Sequence, residues 1–567
     1  MRSLRWQILI ALGGLVLVVG LLLGQGTARP DDSAVPVEGG VYSEALVGKI
    51  VRLNPVLDIF NQVDRDIDRL IFSGLVRFDD KGVAKPDLAE SWAISADATL
   101  YSLSLRESAE WHDGVPVSSD DVIYTYALFQ DPDYPGPADL HEFWQQVQVT
   151  RLDSLNVQFQ LPEPFAPFLD YLAVGLLPDH LLRGVTVSAL IDHPFHLEPI
   201  GTGPFRFEEF LVEDGDIAGV SLTAFKSPGA QKPFLQRIEI RTYSDEEAAL
   251  EAYTQGFVQG LGEVGPEILP EVLALPELNL YTARLPVVTT IFLNLRDTER
   301  PYLADKSFRR ALLLALNRQW IVDRALGGQG LPATGPILPG TWAYAEGLEA
   351  IPYDPAEAQG LLDALGWSLP VGASIGTPEF IRMKDGQAMG FELAFPEDPV
   401  FRAVAEMARD SWAGLGIPVQ LKAVAPSEII PEVLEPHEFQ AVLVPLVFAR
   451  SPDPDPYPLW HDTQVDRGQN YSGFSDRNIS IWLEQARVTP DTGRRAELYR
   501  DFQYRFQDQV PALLLYHPVH NYAVSGQVQG ISVGPLFDAS DRWAGMADWY
   551  LIARRGGGGV SSGTAVP

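Results

Sequence analysis

Hydrophobic positions along the chain change between two periods, which predict strands and helices in turn. Residues 290–293 form a run rich in β-branched and large apolar side chains that ends at Asn294, and this pattern is typical of a buried strand. A polar connection containing Pro301 and Asp305 follows. Apolar residues then recur at spacings of three and four, which predicts a helix. Its apolar positions are Phe308, Leu312, Ala315, Leu316 and Trp320. Strand, connection and helix make one half of an α/β unit.

The same alternation continues along the rest of the chain. Residues 157–161 and 234–243 alternate apolar and polar side chains and predict strands, whereas residues 245–255 begin with an acidic turn that suits a helix N-terminus. From Gly39 onward, short strand patterns alternate with helical ones. This arrangement predicts α/β lobes.

The N-terminus carries a segment that predicts export. Arg2 and Arg5 precede an apolar stretch, residues 8–23, which is intermediate in length between a signal peptide and a full membrane span. Small residues at Gly26 and Ala28 fit a cut after Ala28, but the positive flank equally fits an uncleaved anchor. Both alternatives place the body outside the cytoplasm. We expect residues 1–28 to be a signal peptide or anchor and residues 29–37 to be a tether.

Length, charge and cysteine content limit the classes of protein. With 567 residues, the chain has room for three or four domains of roughly 150 residues each. A formal net charge of −33 argues against nucleic acid as a partner, because phosphate binding needs clustered Lys and Arg. The chain contains no cysteine, which excludes disulfides, thiolate chemistry, Cys-ligated metals and a lipidated N-terminal cysteine.

Several segments together resemble family 5 of the extracellular solute-binding proteins of ABC transporters, the dipeptide/oligopeptide/nickel-binding family. That family has an i-x-L-N strand, then a Pro, an Asp and a helix of the form R-x-A-L-x-x-A-i-x-R-x-x-i-v. The matching residues are Asn294, Pro301, Asp305, Arg309, Ala311, Leu312, Ala315, Leu316, Arg318, Ile321 and Val322. Further similar segments follow in the family's order: G-G-V-Y-S-E-A-L from residue 39, K-P-D-L-A-E-S-W from 85, G-T-G-P-F from 201, P-D-P-D-P from 452 and V-P-A-L-L-L-Y from 510. The resemblance covers about residues 38–552.

The resemblance implies an α/β, two-lobed, periplasmic-binding-protein-like fold of type II, in the large peptide-binding class, with an extra subdomain in lobe I. It places lobe I at residues 38–286 and 519–553, the inserted subdomain near residues 55–190, and lobe II at residues 287–518. Residues 286–294 and 512–516 would then cross between the lobes, with Asn294 and Tyr516 as hinge residues. The Gly- and Ser-rich residues 554–567 are expected to form a disordered tail.

The implied function is the extracytoplasmic substrate-binding component of an ABC importer. It would capture a peptide or a peptide-like solute by closing two lobes and deliver it to a permease and its ATPase. The resemblance implies a monomer without cofactor, attached to the membrane through the N-terminal segment. Two alternatives stay open at this point: an exported receptor or chaperone with the same fold, and an exported hydrolase.

The sequence carries no motif that would indicate an enzyme. The chain has no G-x-S-x-G, no H-E-x-x-H and no G-x-x-x-x-G-K-[ST] motif. Residues 192–198 contain two His, an Asp and a Glu, but Pro194 favours a turn over a metal site. Asp64, Asp66 and Asp68 have the spacing that begins a calcium loop, but Arg69 stands where that loop needs Gly. We interpret these three acids as a solvated helix face.

Two segments are candidates for a ligand cleft. Gly201, Thr202 and Gly203 precede a Pro, so backbone N–H groups there are unobstructed by large side chains, although a plain turn is the alternative. Residues 451–458 contain four prolines and predict a stiff loop, which is either a ligand-binding loop or a rigid surface loop. Its candidate ligand-binding side chains are Asp453, Asp455, Tyr457 and Trp460.

One departure from the family pattern concerns the ligand. Peptide-binding members have W-x-A-D-Y-x-D-P before this loop, and the Asp after the Ala pairs with the ligand's amino terminus. This chain has V-F-A-R-S-P-D-P, so Val447 replaces the Trp and Arg450 replaces the Asp. A guanidinium group suits a carboxylate or phosphate, which predicts a ligand that is anionic or neutral at that point. In the alternative, Arg450 points to solvent and Asp453 or Asp455 binds an amine.

Overall fold

The structure is a computed structural model that describes residue 36 and residues 38–226, 232–447, 451–466, 468–532 and 534–552. Four expectations concern residues wholly or mostly outside these ranges: the signal peptide or anchor at residues 1–28, the tether at residues 29–37, the side chain of Arg450, and the tail at residues 554–567.

Strands and helices alternate through the described residues, as the α/β prediction requires. The strands are β1 (Val41–Val47), β2 (Val76–Phe78), β3 (Ala84–Pro86), β4 (Ala89–Ile94), β5 (Leu100–Leu105), β6 (Gln148–Arg151), β7 (Asn156–Gln160), β8 (Phe205–Glu213), β9 (Asp216–Ala224), β10 (Arg237–Tyr243), β11 (Gly260–Leu261), β12 (Leu278–Arg284), β13 (Val287–Leu293), β14 (Gly330–Pro332), β15 (Met383–Lys384), β16 (Gln387–Ala388), β17 (Phe391–Pro396), β18 (Val419–Val424), β19 (Ala441–Val447), β20 (Leu513–Ser525), β21 (Val528–Gln529) and β22 (Tyr550–Leu551).

The α-helices are α1 (Gln62–Ile71), α2 (Ser119–Gln130), α3 (Ala138–Gln146), α4 (Asp179–Leu182), α5 (Val187–Leu190), α6 (Glu246–Thr254), α7 (Leu269–Leu273), α8 (Lys306–Leu314), α9 (Arg318–Ala325), α10 (Pro355–Ala364), α11 (Pro399–Ala413), α12 (Tyr457–Trp460), α13 (Arg477–Val488) and α14 (Thr492–Gln509). Two 3₁₀ helices, Ala166–Leu172 and Ala539–Asp548, are used below. The predicted strands at residues 157–161 and 234–243 are β7 and β10, and the predicted acidic helix start is α6, which Asp245 caps by accepting a hydrogen bond from the Ala248 N–H at 2.9 Å.

A large sheet runs through the molecule in the order β18-β17-β19-β13-β20-β11-β1-β10-β9-β8. The long strand β20 joins its two sides. Its first part pairs with β13, and its second part, from Val519 to Ser525, pairs with β12. The chain crosses again between β12 and β13, through Leu285 and Pro286. Two antiparallel segments therefore connect the two sides.

The buried hydrophobic residues divide at this crossing. Two clusters contain residues 42–278 and 522–549, and two others contain residues 288–516. We call these groups the first body and the second body. A separate four-stranded sheet, β4-β5-β7-β6, contributes to the core of the first body. Since each body buries its own apolar side chains, each has its own source of hydrophobic stabilisation.

One predicted helix is wrong in its extent. The single helix expected after Asp305 is two helices, α8 and α9. The side chain of Asn317 accepts a hydrogen bond from the Trp320 N–H at 3.0 Å, so it caps a new helix. The new direction leaves Trp320 45% exposed, although the helical spacing predicted a core position.

Candidate functional site

A cavity of about 500 Å³ lies on the side of the first body that faces the second. It is bounded by α1, the β2–β3 turn, residues 170–175, the 3₁₀ helix Ala539–Asp548, and Pro452 from the second body. Its aromatic lining consists of Phe72, Phe78, Phe129, Trp144, Tyr171 and Phe537. A concave surface of this size with an aromatic lining is typical of a small-ligand site.

The charged groups in the cavity wall are mostly acidic. The lining contains seven aspartates and three arginines: Asp58, Asp68, Asp79, Asp80, Asp170, Asp538, Asp541, Arg65, Arg69 and Arg77. Arg65 pairs with Asp538 at 3.1 Å and Arg69 pairs with Asp541 at 3.2 Å. The wall therefore has a negative formal charge, which favours cationic over anionic groups in its neighbourhood.

The three acids of α1 are buried, so the prediction of a solvated face is wrong. Asp64, Asp66 and Asp68 are only 2%, 3% and 2% exposed. The reason is that α1 packs between the loop after β1 and the 3₁₀ helix Ala539–Asp548, so it has little free surface. The hydropathy pattern did not indicate this burial, because aspartate counts as polar whether or not another segment covers it.

These three acids differ in what they bind. Asp64 accepts hydrogen bonds from the backbone N–H groups of Val51 and Arg52, both at 2.8 Å. Asp66 accepts one from Nη1 of Arg542 at 2.5 Å. Neither carboxylate oxygen of Asp68 has a hydrogen-bond partner. Burial, with Asp58 and Asp64 nearby, raises the pKa of Asp68 well above its ordinary value.

The segment Gly201-Thr202-Gly203 is buried behind the cavity wall. A Cβ atom on Gly201 would lie 2.0 Å from the carbonyl oxygen of Ile71, and one on Gly203 would lie 2.5 Å from that of Leu70. The Thr202 hydroxyl accepts a hydrogen bond from the Ser73 N–H at 3.2 Å. The glycines therefore allow a close backbone approach to the end of α1, while contact between this segment and a ligand stays a prediction.

In the second body, both candidate aspartates of the proline-rich loop already have cationic partners. Asp453 is 3% exposed and forms an ion pair with Arg495, and the Tyr499 hydroxyl donates a hydrogen bond to its Oδ1 at 3.1 Å. Asp455 pairs with Arg487, with 2.6 Å between Oδ2 and Nη2. Their carboxylates hold the loop against α13 and α14.

The two aromatic candidates of this loop have different surroundings. Tyr457 stacks on His461 with 4.1 Å between ring centroids, and the Arg487 guanidinium lies 4.1 Å from its ring centroid. The Tyr457 hydroxyl lies 3.3 Å from the Thr463 hydroxyl. Trp460 is fully buried between Phe292 and Phe506, and its Nε1 has no hydrogen-bond partner. Whether either ring contacts a ligand stays a prediction.

A set of contacts joins the loop to the first body. The Ser451 hydroxyl and the Asp453 backbone N–H, the latter at 2.7 Å, both donate hydrogen bonds to Oδ2 of Asp170. The Arg487 guanidinium lies 5.4 Å from the ring centroid of Phe165. Burial, followed by the charge of Asp455, raises the pKa of Asp170 to about 7, while Ser451 and Arg495 lower it. No local sequence pattern marks Asp170 as a candidate, because its partners Ser451 and Asp453 lie 281 and 283 positions away in the chain.

The predicted hinge residues lie at different places on the crossing strands. Tyr516 is buried on β20, opposite Thr289 of β13 and Pro332 of β14, next to the crossing itself. Asn294 follows the far end of β13, and its Nδ2 donates hydrogen bonds to the carbonyl oxygens of His437 and Phe439 at 3.2 and 3.0 Å.

The histidines of residues 192–198 have structural roles. His193 accepts a hydrogen bond from the Phe195 N–H at 3.2 Å, and Nε2 of His196 lies 2.6 Å from the Leu190 carbonyl oxygen. Among the residues that the structure describes, no group of three or more His, Asp or Glu side chains is arranged to hold a metal. No helix in the described ranges is long and apolar enough to span a membrane.

Comparison with known proteins identifies the class of this fold. Residues 83–469 match the model of the bacterial extracellular solute-binding proteins, family 5 Middle. The oligopeptide-binding protein AppA of Bacillus subtilis is 24% identical over 95% of this chain and 97% of its own. The dipeptide-binding protein of Escherichia coli is 26% identical over 80% of this chain and 84% of its own. The structure of HbpA2 from Haemophilus parasuis superposes with a TM-score of 0.78 at 22% identity, covering 90% of this chain and all of that one.

These matches confirm the predicted two-lobed α/β fold. The matches to AppA and to HbpA2 cover 90% or more of this chain and of each of those proteins. The chain therefore belongs to the family 5 bacterial extracellular solute-binding proteins, and it is an extracytoplasmic substrate-binding component of an ABC importer and not an enzyme.

Proposed function

We propose that the chain captures a peptide or peptide-like solute by closing two lobes over the cavity and presents it to an ABC permease. The observation that carries this proposal is the position of the cavity. Its walls come from the first body, whereas Pro452 of the second body lies at its edge, beside the Asp170 contact. A ligand in this place would favour the closed arrangement, because closure adds contacts from the second body.

The proposed lobes are residues 38–286 with 519–553, and residues 287–518, with a subdomain inserted near residues 55–190. The division of hydrophobic clusters supports these limits, since no cluster extends across the crossing among the described residues. Tyr516 is proposed as a hinge residue because it lies beside the crossing, and Asn294 as a second one at the other end of β13.

The proposed ligand contacts keep the candidates from both bodies: Gly201, Thr202, Gly203, Arg450, Asp453, Asp455, Tyr457 and Trp460. Their surroundings suggest separate roles. Asp453 and Asp455 are each already paired with an arginine. Arg450 is therefore the loop residue that we propose binds the ligand's charged group. The ligand would then be anionic or neutral at that end.

The proposed partners are the permease and its ATPase, with the membrane held through the N-terminal segment. The proposed working unit is a monomer. Cleavage after Ala28 would release the body, whereas retention of residues 8–23 would anchor it.

The experiment combines small-angle scattering with native mass spectrometry of the purified full chain, before and after addition of a casein hydrolysate. We expect bound di- to oligopeptides and a smaller radius of gyration, because closure brings the lobes together. Absence of both bound peptide and compaction would overturn the proposal. Retained peptide without compaction would support binding but contradict the closure mechanism.

A further inference from the structure

Asp68 is a buried acid whose carboxyl group has no hydrogen-bond partner in the described residues. It lies in the last turn of α1, it is 2% exposed, and it forms part of the cavity wall. Neither of its oxygens has a hydrogen-bond partner; the Asn54 backbone N–H lowers its pKa but does not reach hydrogen-bonding geometry. Most buried polar side chains in folded proteins do have a partner, so this carboxyl group is an exception.

The position is unfavourable for a carboxylate on two further grounds. The last turn of a helix carries the negative end of the helix dipole, which disfavours an acid. A buried, unpaired charge also loses its hydration without compensation. The nearest arginines of α1 are engaged elsewhere: Arg65 donates to the Ile59 carbonyl oxygen at 2.6 Å, and Arg69 pairs with Asp541. Within the described residues, no side chain donates a hydrogen bond to the Asp68 carboxyl group.

We propose that Asp68 receives a cationic group of the transported solute, an ammonium carried on an apolar or aromatic body. This inference rests on the proposed function, and it assigns the cation to α1 instead of to the proline-rich loop. The aromatic side chains of the cavity suit the apolar body of such a ligand and add cation–π attraction. Both Asp68 oxygens are shielded from solvent, so entry of the ligand requires the Asp68 side chain to rotate toward the cavity.

The inference is compatible with an anionic ligand group near Arg450. The two residues would bind different ends of one solute that carries both charges. Asp453 and Asp455 are poor alternatives for the ammonium, because each would have to release its arginine before it could bind a new cation. Asp68 has no such partner to release.

The test uses two probes: a casein hydrolysate, and the same hydrolysate after exhaustive acetylation of its amines. Native mass spectrometry measures what the full chain retains from each. We expect the wild type to retain at least tenfold more from the untreated mixture, and Asp68→Asn to lose this preference together with most of the binding. Asp133→Asn removes one charge from an exposed position outside the cavity and serves as the matched control.

Thermal denaturation of the same variants supplies an independent measurement. Because Asp68 has no partner, Asp68→Asn is expected to melt no lower than the wild type. A melting temperature several degrees lower would show a structural role for the carboxylate and overturn the inference. Equal retention of both mixtures by the wild type would also overturn it, while leaving the proposed function in place. Retention of neither mixture would overturn both.

Discussion

The backbone N–H of Asp453 donates a hydrogen bond to Oδ2 of Asp170 at 2.7 Å, although 283 positions separate these residues in the chain. Asp170 belongs to the 3₁₀ helix Ala166–Leu172 of the first body, and Asp453 to the loop after β19 in the second. The Ser451 hydroxyl donates to the same oxygen. A single carboxylate therefore connects the two bodies at the edge of the cavity, away from the strands that cross between them.

Loss of this carboxylate should favour the open arrangement. The two hydrogen bonds that Asp170 accepts contribute about 0.5–1.5 kcal/mol each, so Asp170→Ala is expected to weaken binding of a retained peptide by about fivefold or more. Isothermal titration calorimetry measures the affinity, and scattering measures the lobe separation. Asp133→Ala, at an exposed site on the same body, should change neither. Unchanged affinity and compaction in Asp170→Ala would contradict a role in closure.

The pH dependence of closure should follow from the same residue. Burial and Asp455 raise the pKa of Asp170 to about 7 from its ordinary value of 3.8, whereas in the open form solvent should return it toward that value. The closed form then binds the proton more tightly. Its advantage is greatest at pH below about 4 and is lost progressively as the pH rises through 7.

Scattering of the chain without added peptide, at several values between pH 5 and pH 8, measures this effect apart from ligand ionisation. We expect a smaller radius of gyration at the acidic end for the wild type and a flatter profile for Asp170→Asn. Asp133→Asn should keep the wild-type profile. An identical profile in Asp170→Asn would assign the pH response to other groups.

Arg450 should contribute to binding through a charge-assisted contact. At roughly 1.5–3 kcal/mol, Arg450→Ala should weaken binding of the co-purified solute, identified by mass spectrometry, by about ten- to hundredfold. Arg450→Asp should weaken it further, because the introduced carboxylate would repel an anionic group. Calorimetry on both variants measures this. If both variants bind that solute as tightly as the wild type does, Arg450 points to solvent.

Asp453 should be more important for stability than for ligand charge. Its removal leaves Arg495, whose side chain is 5% exposed, without its carboxylate, and breaking a buried pair from one side costs about 3–5 kcal/mol. Asp453→Ala should therefore lower the melting temperature of the second body, as measured by calorimetric denaturation. The control is Asp410→Ala, whose pair with Arg409 is exposed and contributes about 0–1 kcal/mol. Equal melting temperatures for both variants would contradict this assignment.

The sequence by itself determined the class of the protein. The residues that match around Asn294 and Arg309 specify a strand and a helix at fixed spacing. Local periodicity located β7 and β10, because a half-buried strand alternates apolar and polar side chains, and an acidic first turn located α6. Local pattern failed at Asn317, where a cap hydrogen bond divided one predicted helix into two. The apolar spacing continues through that point, so periodicity alone does not reveal the break.

Only the tertiary structure decided which polar residues are buried and which pairs meet. The acids of α1 look like a solvated face, yet the loop after β1 and the C-terminal 3₁₀ helix cover them. Asp453 and Asp455 look free to bind a ligand, yet Arg495 and Arg487 already bind them. Burial and partnership of a charged group depend on segments hundreds of residues away. Hydrophobic periodicity indicates which face of a helix or strand is apolar, but it does not indicate which segments pack against that face or against the opposite one.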